Sequence, residues 1–172
     1  THVMTPPPVW ALAVTYWLHF LATVMWVGSL TAILFLFIPA IKRALDLNTQ
    51  IALLDAIQKR FEPVVWFSLS LLVLTGLFQM SVNPHYDGFL AASTQWSLAI
   101  LAKHIFGMVA IAVSAIQTWD VTPAIRRALL VSKKTKNVET LAALQRRETL
   151  LLWANLISAI LILGATAVAR AS

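Results

Sequence analysis

From Val9 to Ile41 the chain reads VWALAVTYWLHFLATVMWVGSLTAILFLFIPAI, and its only ionisable side chain is His19. A helix crossing the hydrocarbon of a bilayer needs about 20 apolar residues, because no water is present to satisfy a backbone left unpaired. This run exceeds that length, so it is read as a membrane span able to tilt or protrude. Thr1 to Pro8 carries no basic leader region, and the apolar run is too long for the short core of a signal peptide. Three further segments qualify: Pro63 to about Val82, Trp96 to Trp119 with Lys103 and His104 inside it, and Thr149 to Ala169. The expected fold is all-α, an integral membrane four-helix up-down-up-down bundle forming a single domain over residues 1–172, with spans at about 9–41, 63–82, 96–119 and 149–169.

Composition agrees. Hydrophobic residues make up 59% of the 172 and charged residues 12%, against roughly 45–50% and about 25% in soluble domains. The lipid bilayer is therefore the first partner. A net charge of +6 raises the question of nucleic acid, but the basic residues fall in two blocks between apolar runs without aromatic interleaving, so no nucleic-acid partner is expected. Lys42, Arg43, Lys59 and Arg60 lie between spans one and two; Arg126, Arg127, Lys133, Lys134, Lys136, Arg146 and Arg147 lie between spans three and four; Asn83 to Gln95 has neither Lys nor Arg. The positive-inside rule then predicts cytoplasmic basic loops and both termini outside a plasma membrane. With no cysteine there is no disulfide framework and no thiolate chemistry. Ile51, Leu54, Ile57 and Phe61 recur at helical spacing and are expected to form an amphipathic helix lying on the headgroups, and Thr122-Pro123 reads as a helix start.

Ionisable groups inside a membrane are costly and are functional candidates by default. Here they are His19, Lys103 and His104. Counted from Trp10 and Trp96 as interfacial anchors, both histidines lie roughly 12–14 Å below the outer surface at 1.5 Å per residue. Two imidazoles at one level, on spans running in the same direction, suit axial ligation of a haem b. Gly76 and Gly164, roughly 8–9 Å deep, and Gly107, one turn below His104, would leave room for a flat ring. Lys103 can snorkel toward haem propionates with help from Arg170. The expected cofactor-binding set is thus His19, His104, Lys103, Gly76, Gly107, Gly164 and Trp26, with His19 and His104 on the metal. The alternative ligand is copper, for which His2, Met4, Met80 and His85 outside and His19, Met25, His104 and Met108 inward supply imidazole and thioether donors. Plain packing remains open for each: membrane histidines bond neighbouring helices, glycines and methionines fill interfaces, and Lys103 can snorkel to lipid. Trp10, Trp17, Trp66, Trp96, Trp119 and Trp153 read as interface belts. Ser29, Ser68, Ser70, Ser97 and Ser114 read as helix-packing contacts, with no carboxylate in the spans to make a nucleophile of them.

The stretch from His19 through Trp26 to Gly28 resembles the H-x6-W-x-G signature of the copper-resistance D (CopD) family of membrane proteins. Arg60-Phe61, Leu72-Val-Leu-Thr75-Gly76, Leu101-Ala-Lys103 and Trp119-Asp-Val-Thr-Pro123 resemble successive pieces of that family's second and third spans. The likeness runs from His19 to about Arg127 and implies copper uptake or resistance. HemJ-type protoporphyrinogen oxidases share the histidine, tryptophan and lysine elements, and that likeness would give His19 and Lys103 a catalytic role. His104 is not a standard position of the family. The resulting expectation is a membrane-embedded, b-type haem-binding electron-transfer protein working with a redox partner or other membrane subunits. A CopD-like copper protein and an accessory subunit of a larger complex are the alternatives.

Overall fold

A computed structural model describes residues 7–86, 88–132 and 138–171. Its helices are α1 (Val9–Thr31), continued by a π-helical turn at Ala32–Phe37 into α2 (Ile38–Ala44), α3 (Leu47–Ser81), α4 (Gln95–Ile116), continued by a π-helical turn at Gln117–Val121 into α5 (Thr122–Ser132), and α6 (Val138–Ala171). Four helical rods are each long and apolar enough to cross a membrane, and the described residues contain no strand. The four-span all-α bundle read from hydropathy is the fold.

Each π turn lies just before or around a proline, Pro39 or Pro123. Proline has no N–H, and its ring collides with the carbonyl four residues back. Widening one turn accommodates both defects without ending the rod. Thr122-Pro123 therefore marks no fresh helix start, since Thr122 is already helical and buried. Pro63 likewise sits inside α3, which runs unbroken from Leu47 to Ser81.

The same continuity corrects the headgroup-helix reading of Ile51 to Phe61. That segment is the first half of α3, and Ile51 and Leu54 are buried at 2% and 4% exposure. Ile51 packs with Val121, Ile125 and Leu141, which extends the bundle beyond the spans at the end bearing the basic connections. The Asp46 carboxylate accepts from Thr49 N–H at the start of α3. Thr94 and Ser97 form a reciprocal capping box at the start of α4, so Ser97, which is buried, also caps its helix.

The helices pack as two hairpins, α1 on α3 and α4 on α6, joined along α1 and α6. Helices α1 and α4 are not neighbours, consistent with a diagonal arrangement. Trp26, Leu30, Leu69, Ala110, Leu156 and Ala159 form the centre of the core. Trp10, Trp17 and Trp119 are strongly exposed, as belt residues should be, but Trp96 is buried at 9% exposure.

Candidate functional site

A cavity of about 380 Å³ opens inside the bundle at the end opposite the basic connections, where the walls come from α1, α3, α4 and α6 and from Phe89 in the connection before α4. It falls within the range of small-molecule pockets, roughly 300–1,000 Å³. His19, Trp26, Gly76, Lys103, His104 and Gly107 all line it. Gly164 does not. On α6 the inward positions are Ala159, Ile162 and Thr166, at helical spacing, with Leu163 beside them; Gly164 falls off that stripe and is exposed.

His19 is held by its neighbours on α3. Its Nδ1 lies 2.7 Å from Thr75 Oγ1, and Thr75 Oγ1 lies 2.6 Å from the Leu71 carbonyl oxygen. A carbonyl can only accept, so the single Thr75 hydroxyl proton goes to Leu71 and Thr75 must accept from His19 Nδ1–H. The imidazole proton is thereby assigned to Nδ1, which leaves Nε2 with a free lone pair. That tautomer is the one a metal ligand needs, with the second nitrogen oriented by an outer partner. Gly76 faces the ring: a Cβ there would stand 3.5 Å from His19 Cε1, an ordinary contact, so only a larger side chain would crowd the imidazole.

His104 comes from α4 and lies against Phe89, with ring centroids 4.4 Å apart. Its Nδ1 is buried without a well-formed hydrogen bond, and the backbone of Ile100, one turn earlier on α4, lies within interaction reach of the ring. Lys103 is half-buried beside it and within electrostatic reach of Arg170 and His19. Arg170 sits over the Tyr16 ring, 5.3 Å from its centroid. Neither cation has a carboxylate partner among the described residues.

Of the proposed copper donors, Met80 and Met108 join His19 and His104 in the cavity lining. Met25 does not line it, and His85 is exposed and hydrogen-bonded to Asn83. His2 and Met4 lie outside the described residues. No group of three or more His, Cys, Asp or Glu side chains able to hold a metal is found among the described residues. The sequence reading gave Thr75 no role at the site beyond its place in the family-like Leu72–Gly76 stretch, although its position next to Gly76 was a usable signal. It also passed over Gln58, Gln117, Asn155 and Glu148, all buried polar residues at the opposite end from the cavity or beneath it.

These features define a four-span membrane protein with an apolar internal cavity into which two imidazoles and a lysine project. The profile of the copper resistance protein D (CopD) family matches residues 55–169, about two thirds of the chain, and the protein belongs to that family. The matched region takes in Thr75, Gly76 and Lys103 but not His19. No curated protein and no solved structure matches the chain.

Proposed function

We propose that the cavity binds haem b, with His19 and His104 as the iron ligands, and that the protein carries single electrons in the membrane. The observation that supports this most is two imidazoles lining one apolar cavity, one of them with its Nε2 left bare by the Thr75 hydrogen bond. Gly76 and Gly107 keep side-chain bulk away from the histidine-bearing walls. Lys103 and Arg170 supply two cations without carboxylate partners among the described residues, suited to the two propionates of an amphipathic porphyrin. Bound haem would supply a one-electron couple tuned by the axial ligands and the low dielectric. The protein's own contribution is to fix the His19 tautomer, exclude water and balance the propionate charge. In this reading the basic connections face the cytoplasm, and a redox partner or membrane subunit exchanges electrons with the cavity.

The purified protein reduced with dithionite should show b-type absorption bands, and His19→Ala and His104→Ala should each abolish or shift them. A featureless spectrum, or the same spectrum in all three proteins, overturns the proposal. Thr75→Val should weaken ligand retention about 10–100-fold, as loss of the partner that orients a metal-binding histidine commonly does. Thr75→Ser keeps the hydroxyl and should retain the ligand, which a haem titration of the two variants would check.

A second reading draws on Met80 and Met108, whose thioethers line the cavity beside the imidazoles. Imidazole and thioether donors suit copper, in keeping with the family. Elemental analysis of the purified protein decides between the two.

A further inference from the structure

A second, smaller cavity of about 40 Å³ lies toward the basic end, lined on α3 by Gln58 and Glu62, on α4 and its π turn by Ser114 and Gln117, and on α6 by Asn155. It sits about one helical turn from the large cavity along every wall. Trp26, Leu69, Ala110 and Ala159 line the upper space, while Ser29, Trp66, Ser114 and Asn155 line the lower one. Gln117 Nε2 donates to Gln58 Oε1 at 3.1 Å, and Asn155 Nδ2 donates to Ser114 Oγ at 3.0 Å.

Among the described residues, Trp26 Nε1 on the wall of the large cavity, Ser68 Oγ on α3 between Trp66 and Leu69, and Asn155 Oδ1 on the wall of the small cavity have no hydrogen-bond partner. Their residues are 3%, 0% and 1% exposed, and Asn155 lines the lower cavity. A buried polar group left without a hydrogen bond costs about 1–3 kcal/mol, so three such groups are unfavourable in a dry apolar bundle. One water needs roughly 10–15 Å³ and two to four polar partners, so the lower cavity has both the room and the partners for a short water chain.

We propose that the lower cavity is hydrated and gives protons access from the basic end to the floor of the large cavity. Glu62, half-buried and lining this cavity, is the entry group. Water held by Gln58, Gln117, Ser114 and Asn155 continues the route toward Trp26 on the floor of the large cavity. At each transfer one O–H bond forms as the next breaks, and Glu62 is reprotonated from bulk water, so no further reactant is required. The Trp26 indole, a donor only, anchors the last water and relays nothing. This route does not depend on which ligand the large cavity holds.

Hydrogen–deuterium exchange of the Trp26 indole N–H tests it. The full chain is labelled with 15N at its seven tryptophans, purified in mild detergent and moved into D2O, and Trp26→Phe identifies the signal. A hydrated floor lets Trp26 exchange within minutes, despite its burial. Asn155→Leu and, separately, Gln117→Leu plug the lower cavity and should slow that exchange about tenfold or more, since exchange then waits on opening of the bundle. Loosening of the fold accelerates exchange and cannot mimic this slowing. Exchange taking hours in the unmodified chain, or rapid exchange that neither substitution slows, overturns the proposal.

Discussion

Replacing Gly76 by leucine should expel the cavity ligand from a protein that still folds. The reason is local. A Cβ at this position would meet His19 Cε1 at 3.5 Å, an ordinary contact, so Gly76→Ala fits without movement and should keep the ligand. It also removes a flexible residue from the interior of α3, which favours the helix by roughly 0.5–1 kcal/mol. The further branches of leucine project into the cavity beside the His19 ring and occupy the space that a ligand on Nε2 would need. Overpacking costs about 1–3 kcal/mol, so ligand affinity should fall roughly 10–100-fold. Absorption spectra and circular dichroism of the two variants together check this. Ligand lost from Gly76→Leu but kept by Gly76→Ala, with equal helicity in both, is the expected pattern; equal retention in both would mean that His19 does not bind there.

Ile51→Ala should destabilise the protein by about 2–5 kcal/mol, the range for truncating a fully buried branched side chain. Ile51 is 2% exposed and packs with Val121, Ile125 and Leu141, so its removal leaves a hole where α3, α5 and α6 meet. A helix lying loosely on headgroups would lose little from the same change. Thermal unfolding in detergent, followed by helicity, separates the two cases. Leu53→Ala is the control, because Leu53 neighbours the same segment but is exposed.

Hydropathy made the four spans legible, since the chain must supply long apolar runs wherever water is absent. Depth counting from Trp10 and Trp96 brought His19 and His104 to one level, and both line the same cavity. The count does not depend on Trp96 being exposed, because a helix rises regularly whatever covers its first turn. Depth fixes height and says nothing of direction, which is why Gly164 was misplaced: it has a suitable level but lies on an exposed face. Helix direction on α6 is set by the buried stripe Leu152, Leu156 and Ala159 together with Asn155. The proline signals misled in another way. Pro63 and Pro123 looked like boundaries, yet helix continues through both, and at Pro123 a π turn absorbs the missing donor. Thr75 and the buried amides were not legible because an uncharged polar residue inside a span carries no signal of which neighbour it bonds. In a membrane interior, uncharged hydroxyls and amides do the orienting.

Measuring haem as its pyridine adduct and copper by elemental analysis, both on one purified sample, tests most directly the proposal that the two imidazoles hold haem. About one haem b per chain, with copper far below that level, is the outcome expected for a bis-histidine site. Copper at the stoichiometry of the chain with no haem band would contradict it.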